Sequence, residues 1–375
     1  MTRVAAPARS FAEQLTTHLA ELQAATPTVI AEHLVGVHAA RVVSPLPIVT
    51  ARTNDSARAL PVLDFAPDSK LLRVRCMRKT LHILPRPLAR LAHAATRRYR
   101  VRDAVRPLVV HGLTARRIET LADRAVSIVS DHGPATPREL ADRITQAARL
   151  SDHRLATLIL RYCWEAGDLF VWRSPSAWDA ERRVIGADAR LRAHFASLEA
   201  EDAQDQLLGH YFRRFGPASI RDACWWSGLS RGVVSRHLDS MGDSDRYVTY
   251  SAPWAESVLY GLAEHGATTQ RHADTDLSES HRRYTFLGHE DPILKAYFET
   301  RARYIDKANY PRLYNQIGEA RPAVVANGHI VGVWQWDRQA RVVTTSVFPQ
   351  HRVLRREVAA AGRTHADLLR RALNQ

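Results

Sequence analysis

One stretch occurs twice in this chain, first as Gly133-Pro134-Ala135-Thr136-Pro137-Arg138-Glu139 and again as Gly216-Pro217-Ala218-Ser219-Ile220-Arg221-Asp222. In both copies a Gly-Pro turn leads to Thr or Ser, and an acidic residue follows three positions later. This is the pattern of a capping box, in which the hydroxyl accepts the third amide of a helix and the acid accepts the amide of the cap. Each copy therefore predicts the start of a helix.

The same succession of elements is predicted after each copy. A second helix over 151–164 and a strand beginning at 169–172 follow the first copy, and segments 231–241 and 247–250 follow the second. The strand segments are rich in aromatic and β-branched residues, which favour strands. Helix, turn, helix and strand, repeated in a basic chain, predict tandem winged helices that bind nucleic acid. Trp225 and Trp226, in the second capped helix, are predicted to be core residues.

The chain before the first copy predicts a third module of the same kind. Phe11, Leu15, Leu19 and Leu22 mark one face of a first helix, and Thr26-Pro27 marks the start of a second. That second helix is predicted to carry Ile30, Leu34 and Val37 inward. A strand over 73–85 and an arginine-rich helix over 88–109 complete the segment.

The C-terminal part of the sequence changes character. Segments 323–326 and 330–334 flank Asn327-Gly328, a strong signal for a β-hairpin. A third strand over 341–348 and a closing helix over 351–373 predict a small α+β domain. The hairpin, with His329 and Arg338 near its ends, is a candidate to enter a DNA groove; an ordinary solvent-exposed hairpin is the alternative. The polar segment 256–280 is predicted to be a linker.

The fold class predicted from these elements is mainly α with β wings (α+β). It consists of three tandem winged-helix modules followed by a small β-rich domain. The predicted boundaries are 1–110, 111–200, 201–275 and 276–375.

Charge favours a polyanionic partner. The chain of 375 residues has a formal net charge of +14, and almost all of its cations are arginines, since lysine occurs only at Lys70, Lys79, Lys295 and Lys307. A sequence pI of about 10.2 favours nucleic acid, because each phosphate contact releases counterions. Double-stranded DNA is the predicted partner of a monomeric protein.

Several other classes of function are disfavoured by missing motifs. Cys76, Cys163 and Cys224 have no metal-binding spacing, so they predict buried thiols in a reducing, cytoplasmic compartment and no metal site. The sequence has no signal peptide and no apolar run long enough for a membrane span. It also lacks the Walker A, GxGxxG, GxSxG and HExxH motifs, and no cofactor is predicted.

Four phrases, in order along the chain, resemble one known family, the AlkZ-like winged-helix DNA glycosylases. They are Gly36-Val37-His38-Ala39-Ala40, Met77-Arg78-Lys79-Thr80-Leu81-His82, the segment 211–229 with Trp225-Trp226-Ser227-Gly228-Leu229, and Asn327-Gly328-His329-Ile330-Val331-Gly332-Val333-Trp334. The resemblance implies three winged helices and a β-rich tail arranged around a duplex. It also implies excision of alkylated or cross-linked purines.

The resemblance also implies a position for the catalytic residue. Active members of the family have two polar side chains that flank one apolar residue and position the hydrolytic water. Here His38 occupies the first of these positions, and Ala40 occupies the second, where alanine can neither bind water nor stabilise a cation. His38 is therefore the predicted catalytic residue, as the acceptor of a proton from water. The alternative is that His38 caps the C-terminus of a helix.

Basic residues on several predicted elements are candidates for contact with the DNA backbone. They are Arg78, Lys79 and His82 on the strand beside His38; Arg97, Arg98 and Arg100 on the arginine-rich helix; and Arg154, Arg161, Arg231 and Arg236 on the last helices of two modules. His237, on the last of these helices, is also expected to face outward. For the strand residues, the alternative is a solvated face, since alternation places Met77, Lys79 and Leu81 on one side.

The predicted function is that of a monofunctional DNA glycosylase, which hydrolyses the N-glycosidic bond of alkylated or bulky purines. A lyase would need a nucleophilic amine, and Lys79 is the only lysine expected near the site. One alternative is a non-catalytic DNA binder, in damage recognition or transcriptional regulation, which Ala40 favours. Another is a different hydrolase on the same scaffold, with its acid supplied by Asp55 or Asp64.

Overall fold

A computed structural model of the chain contains two compact units, each assembled from separate parts of the sequence. Unit 1 comprises Met1–His38, Ser44–Val62 and Leu208–Gln375, and unit 2 comprises Ala39–Val43 and Leu63–Leu207. The structure describes residues 6–7, 10–22, 25–39, 45–53, 69–150, 152–173, 184–240, 247–265 and 284–373. The four predicted segments divide the chain differently, and their boundaries stay a prediction.

The first part of unit 1 contains β1 (Ala6–Pro7), α1 (Phe11–Leu22), α2 (Pro27–His33), β2 (Val37–His38) and α3 (Pro45–Thr50). Phe11, Leu15 and Leu22 are buried along one face of α1, as their spacing predicts. The ring of Phe11 packs on Tyr304, from the last part of the chain, with ring centroids 4.8 Å apart. The N-terminal helix therefore depends on residues of the C-terminal segment for its core contacts.

Helix α2 begins as predicted and ends earlier than predicted. The hydroxyl of Thr26 accepts the amide of Val29, and Pro27 occupies the first turn, where it removes no helical hydrogen bond. The helix ends at His33 because Val35 and Gly36 have positive φ angles of 51° and 104°. Val37 is buried, but in β2 and not in the helix.

Unit 2 opens with a hairpin and a long helix: β3 (Leu71–Arg75), β4 (Leu81–Pro85) and α4 (Arg86–Val110). The predicted continuous strand is wrong at Met77–Lys79, which form one turn of 3-10 helix. Arg78 and Lys79 have positive φ angles of 53° and 60°, so the chain reverses there and β4 pairs antiparallel with β3. The predicted alternation of faces therefore does not hold across this segment.

The first capped segment has the predicted order of elements. It contains α5 (Ala115–His132), α6 (Pro137–Ala147), α7 (His153–Ala166), β5 (Phe170–Arg173) and β6 (Val184–Gly186). Thr136 accepts the amide of Glu139, and the Glu139 carboxylate accepts the amide of Thr136, which confirms the capping box. Gly167, in the left-handed conformation at φ 89°, ends α7. An antiparallel β-bridge between Ala135 and Ile185 joins the segment before α6 to the β5–β6 hairpin.

The second capped segment repeats this order. It follows α8 (Ala189–Ala196) and α9 (Ala200–Phe215), and it contains α10 (Ile220–Ser227), α11 (Arg231–Ser240), β7 (Tyr247–Ala252) and β8 (Ala255–Leu262). Ala218 bridges to Tyr260, as Ala135 does to Ile185 in the first segment. The linker predicted over 256–280 is wrong for residues 256–262, which lie in β8, and residues 266–280 lie outside the described residues.

The second capping box carries more hydrogen bonds than the first. Ser219 and Asp222 exchange the expected pair of hydrogen bonds, and both residues are buried. The Asp222 carboxylate also accepts the backbone amides of Phe298 and Glu299, at 2.7 and 2.8 Å, and the hydroxyl of Thr300, at 2.6 Å. Asp222 therefore joins α10 to residues 298–300.

The last part of unit 1 is a four-stranded sheet packed against a helix. It contains β9 (Tyr284–Leu287), α12 (Pro292–Lys295), α13 (Tyr310–Leu313), β10 (Ala323–Ala326), β11 (His329–Asp337), β12 (Val342–Val347) and α14 (Arg355–Leu373). The strand order is β12-β11-β10-β9, with all neighbours antiparallel. The predicted hairpin, third strand and closing helix are confirmed, although α14 starts at Arg355 after a 3-10 segment.

The turn between β10 and β11 packs against the N-terminal helix. Asn327 and Gly328 both have positive φ, at 48° and 77°, as this two-residue turn requires. A Cβ atom at Gly328 would lie 2.4 Å from the Cβ of Ala12 in α1. This turn is therefore seated on α1, whereas the opposite end of the sheet, at residues 337–340, is exposed.

In the described part of the chain, no helix is long and apolar enough to cross a membrane. The cysteines are free; Cys76 and Cys163 are buried, and Cys224 is half-buried.

Candidate functional site

His38 lies in β2, immediately after the left-handed turn that ends α2. The amide of Gly36 donates to the carbonyl of Ala31 at 2.8 Å, which closes the end of the helix before the chain extends. A positive φ is costly for the β-branched Val35, and such strain is found where the surrounding structure fixes the backbone. The cap of α2 is Leu34, so His38 does not cap that helix. The residue is buried, with 5% of its surface exposed.

A carboxylate that the sequence analysis missed lies beside His38. The Nε2 atom of His38 is 3.6 Å from Oε2 of Glu290, which is 3% exposed. Glu290 has a positive φ of 57° and lies between β9 and α12. Its amide donates to the carbonyl of Ala320 at 3.0 Å, so the residue is held by its backbone as well as by its side chain.

The other oxygen of Glu290 is held from two sides. Oε1 accepts the amide of Ala320 at 2.5 Å and lies 3.0 Å from Nζ of Lys295. Lys295 also donates to the carbonyl of Gly318 at 2.6 Å, and its ammonium lies 5.3 Å from the ring centre of Trp225. Buried charges are tolerated when they are paired and hydrogen-bonded, and these contacts meet that condition.

The segment that carries Glu290 is anchored by a second buried ion pair. Arg52 donates two hydrogen bonds to the Asp291 carboxylate, at 2.9 and 2.7 Å, and both side chains are fully buried. Asp291 also caps α12 by accepting the amide of Ile293. A bidentate Arg–carboxylate pair fixes geometry as well as charge. The backbone of Glu290 is therefore tied to the segment after α3.

The lysine beside Glu290 is Lys295; Lys79 belongs to unit 2, and its expected place near the site stays a prediction. Lys79 is exposed at the β3–β4 turn of unit 2 and donates to Asp103. That hydrogen bond lowers the pKa of the Asp103 carboxyl, and partial burial of the group acts in the opposite direction. Ala40, Asp55 and Asp64 lie outside the described residues.

The groups around His38 can accept and hold a proton. A neutral imidazole is a base near physiological pH, and an adjacent carboxylate stabilises its protonated form. The ring of a second histidine, His289, has its centroid 6.5 Å from that of His38. In the described ranges, no group of three or more His, Cys, Asp or Glu side chains has the arrangement of a metal site.

Most of the basic residues predicted to contact DNA are accessible. Arg97 and Arg98 on α4, Arg154 and Arg161 on α7, and Arg231 and Arg236 on α11 are exposed. Arg154 and Arg161 lie two helical turns apart on one face of α7. Arg78 is half-buried beside Lys79. His82 is half-buried on β4, with Nδ1 3.4 Å from Sγ of Cys76.

Arg100 is not accessible, and its predicted contact with DNA is wrong. The residue is 1% exposed. Its guanidinium donates two hydrogen bonds to Glu165, one to the side-chain carboxylate at 2.7 Å and one to the backbone carbonyl at 3.1 Å. Arg75 donates to the other carboxylate oxygen of Glu165 at 2.6 Å. Arg100 therefore completes a buried charge network.

Two further expectations are corrected by burial. His237 does not face outward; it is fully buried and stacked on Phe212, with centroids 6.1 Å apart. Trp226 is a core residue as predicted, but Trp225 is half-buried. Trp225 stacks on Phe298, at 4.7 Å between centroids, and packs against Gly318, where a Cβ would approach its ring to 2.7 Å.

Comparisons with known proteins agree with this fold. The sequence profile of a family described as DNA glycosylase AlkZ-like matches residues 31–371. Among solved structures, the chain is similar to the Streptomyces sahachiroi DNA glycosylase AlkZ, with a TM-score of 0.71 and 18% identity over 95% of both chains. A search of curated proteins found no match.

The structural likeness, at this identity, concerns the mixed fold of helices and small sheets. The family profile covers most of the chain, including His38, Glu290 and Lys295. The chain therefore belongs to the AlkZ-like DNA glycosylase family.

Proposed function

We propose that the protein is a monofunctional DNA glycosylase that removes alkylated or bulky-adduct purines from double-stranded DNA by hydrolysis of the N-glycosidic bond. The observation that carries this proposal is the position of His38, next to a buried carboxylate in a chain of the glycosylase family. The Streptomyces sahachiroi protein of similar fold is named a DNA glycosylase.

The chemistry asks little of the protein when the base is already cationic. An N7-alkylated guanine is a good leaving group, so the site has to hold the sugar and direct a water to its anomeric carbon. His38 is the base that accepts the proton of this water, a contribution of about 100- to 10,000-fold for general bases as a class. Positive charge that develops on the sugar is stabilised by nearby carboxylate and carbonyl oxygens.

The state of Lys295 supports hydrolysis without lyase chemistry. A lyase forms a Schiff base through a nucleophilic amine. The ammonium of Lys295 is buried, donates to Gly318 and is paired with Glu290. An amine held in this way does not attack the sugar, so we expect hydrolysis without strand cleavage.

The two helix–helix–hairpin segments, over 115–186 and 200–262, are the winged helices of this proposal, and the N-terminal segment supplies a third. Exposed arginines on α4, α7 and α11 contact phosphates, which set the register of the duplex without reading sequence. The exposed end of the β11–β12 hairpin, at residues 337–340, enters the groove, because the β10–β11 turn is seated on α1. The protein acts as a monomer.

Base release tests the proposed activity. The purified protein is incubated with a duplex that carries a single N7-methylguanine, and alkali then converts abasic sites into strand breaks. We expect wild type to give scission, and His38→Ala to lower the rate at least tenfold, which corresponds to about 1.4 kcal/mol in the barrier. His111→Ala, at an exposed histidine that ends α4, is the matched control and is expected to retain the wild-type rate.

A non-catalytic damage binder is the second candidate, because Ala40 stands where active relatives have a polar residue. Such a protein would bind the adduct duplex and release no base, from N7-methylguanine or from bulkier adducts. Wild-type release that is unchanged in His38→Ala would contradict the role of His38 but keep the glycosylase.

A further inference from the structure

We propose that Glu290 is the positioning residue for His38, and that Lys295 and the amide of Ala320 hold its carboxylate in place for this purpose. The proposal rests on the proposed function, and it adds a residue that acts through His38. Sequence motifs around His38 do not include Glu290, which reaches the site from the loop between β9 and α12.

The contacts of Glu290 divide its two oxygens between two tasks. Oε1 is held by the amide of Ala320, at 2.5 Å, and by Nζ of Lys295, at 3.0 Å. Oε2 faces Nε2 of His38 at 3.6 Å. One oxygen therefore anchors the carboxylate, and the other is presented to the imidazole.

The separation of 3.6 Å suits a histidine that gains a proton during the reaction. It exceeds an ordinary N–H···O hydrogen bond of about 2.7–3.2 Å but lies within ion-pair distance. Catalytic hydrogen bonds are often long before the substrate binds and shorten in the complex. A charge-assisted bond from imidazolium to carboxylate is shorter and stronger than a neutral one, so the contact tightens when His38 is protonated.

The proposed step uses the imidazole of His38 as the proton acceptor and the Glu290 carboxylate as its partner. In the reaction, the water oxygen forms a bond to the anomeric carbon while the N-glycosidic bond breaks. The electron pair of the broken bond leaves with the purine and cancels the positive charge of the alkylated base. The water proton passes to His38, and the imidazolium is stabilised by Glu290.

The conformation of Glu290 indicates that its position is imposed. A positive φ is uncommon for residues other than glycine, and such residues cluster at functional sites. The buried Arg52–Asp291 pair fixes the next residue, and the amide of Glu290 donates to Ala320. A residue that served only to pair with Lys295 would not need an oxygen directed at His38.

A double-mutant cycle tests whether Glu290 acts through His38. Single-turnover base release and duplex affinity are measured for wild type, His38→Ala, Glu290→Gln and the double variant, on the adduct that wild type releases. We expect each single variant to lower the rate at least tenfold, with the Kd for the adduct duplex changed less than twofold. The double variant is expected to match His38→Ala within about twofold. Glu319→Gln, at the acid next to Ala320, is the control and is expected to retain the wild-type rate.

Gln at position 290 keeps an oxygen for Ala320 and Lys295, so the fold is expected to survive. If this variant fails to fold, Glu290→Asp takes its place in the cycle, because Asp tolerates a positive φ and keeps the charge while it withdraws the carboxylate from His38. The role of Glu290 would be overturned if the rate losses of the two single variants multiplied in the double variant. It would also be overturned if Glu290→Gln released base at the wild-type rate. Either result would leave the glycosylase activity intact. A wild-type protein that binds adduct duplexes and releases no base would overturn both proposals.

Discussion

At the scale of single residues, the arginines of α4 show what the sequence can and cannot predict. Arg97, Arg98 and Arg100 belong to one arginine-rich run, and composition gives no means to separate them. Helix geometry puts Arg100 on the buried face, where Glu165 and the carbonyl of His93 accept its hydrogen bonds. The partner, Glu165, is on α7, so the pair could not be predicted from local spacing.

Substitution of two of these arginines separates the structural role from the DNA-binding role. In Arg100→Ala, the buried carboxylate of Glu165 loses one of its two arginine partners and keeps only Arg75. The free energy of unfolding is expected to fall by about 3–5 kcal/mol. Arg98→Ala is expected to change stability by less than about 0.5 kcal/mol and to reduce the salt slope of duplex binding by about one. Urea unfolding and binding across a salt series measure the two effects. A salt slope unchanged in Arg98→Ala would remove Arg98 from the interface.

His38 shows the same limit at the candidate site. Its role as candidate catalytic residue could be predicted from the family phrase, but the turn that precedes it could not, and the structure places it in a buried polar cluster. Its neighbours Glu290 and Lys295 come from the last third of the chain. No periodicity or motif around them marks them as site residues, since they meet His38 only through tertiary packing.

At the scale of elements, the repeated stretch predicted two helix starts, and both capping boxes are confirmed. Sequence could predict these because a cap is a local pattern, and the Asn327-Gly328 hairpin was predictable for the same reason. The 3-10 turn at Met77–Lys79 was not predicted, because neither Arg78 nor Lys79 is a residue type that favours a positive φ. The burial of the second capping box could not be predicted either, because it depends on contacts with residues 298–300, which are distant in the sequence.

The two capping boxes are therefore expected to differ in how much stability they carry. Asp222→Asn replaces one of the two carboxylate oxygens with an NH2 donor, so the amides of Phe298 and Glu299, held by Oδ1, and the hydroxyl of Thr300, held by Oδ2, can no longer all be accepted. We expect the free energy of unfolding to fall by several kcal/mol. Glu139→Gln alters an exposed cap whose side chain is hydrogen-bonded to Thr136 of the same helix start, and the unfolding midpoint of this variant is expected to match wild type. Thermal and urea unfolding measure both. Equal destabilisation by the two substitutions would show that contacts beyond the cap contribute nothing.

At the scale of the whole molecule, several histidines are buried in a state that acid disrupts. Burial lowers the pKa of His18 and His93 well below the usual range, and lowers the pKa of His365 to about 3. His33 is half-buried, and partial burial together with the nearby Arg214 and Arg52 lowers its pKa to about 3. These residues belong to different parts of the chain, so loss of stability in acid is expected to involve both units. Burial of many neutral histidines is thus a property of the fold as a whole.

His365 provides a clean test of this acid sensitivity. Its ring is stacked on Phe286 and lies edge-on to Trp334, and burial alone lowers its pKa from 6.5 to about 3. Between these values the unfolded chain binds a proton that the folded chain does not, so stability is full above pH 6.5 and is lost as the pH falls. From pH 7 to 4.5 the loss from this residue is roughly 2–3 kcal/mol.

His365→Phe is expected to flatten that part of the pH dependence, because a phenyl ring fits between the same aromatic neighbours and does not titrate. Urea unfolding at several pH values between 4.5 and 7 measures the slope. His111→Asn, at an exposed histidine, serves as the control and is expected to keep the wild-type slope. A His365→Phe slope equal to that of wild type would mean that other buried groups dominate.

The assembly of unit 1 from separate parts of the chain has a consequence during synthesis on the ribosome. Unit 2 is completed at Leu207, whereas Tyr304, which covers Phe11, and Gly328, which seats on Ala12, are translated later. At about 5–20 residues per second, Glu290 follows Leu207 by on the order of ten seconds. Throughout that interval the apolar face of the nascent helix α1 lacks its final partners. His38 is likewise synthesised long before Glu290, the residue that supplies its neighbouring carboxylate.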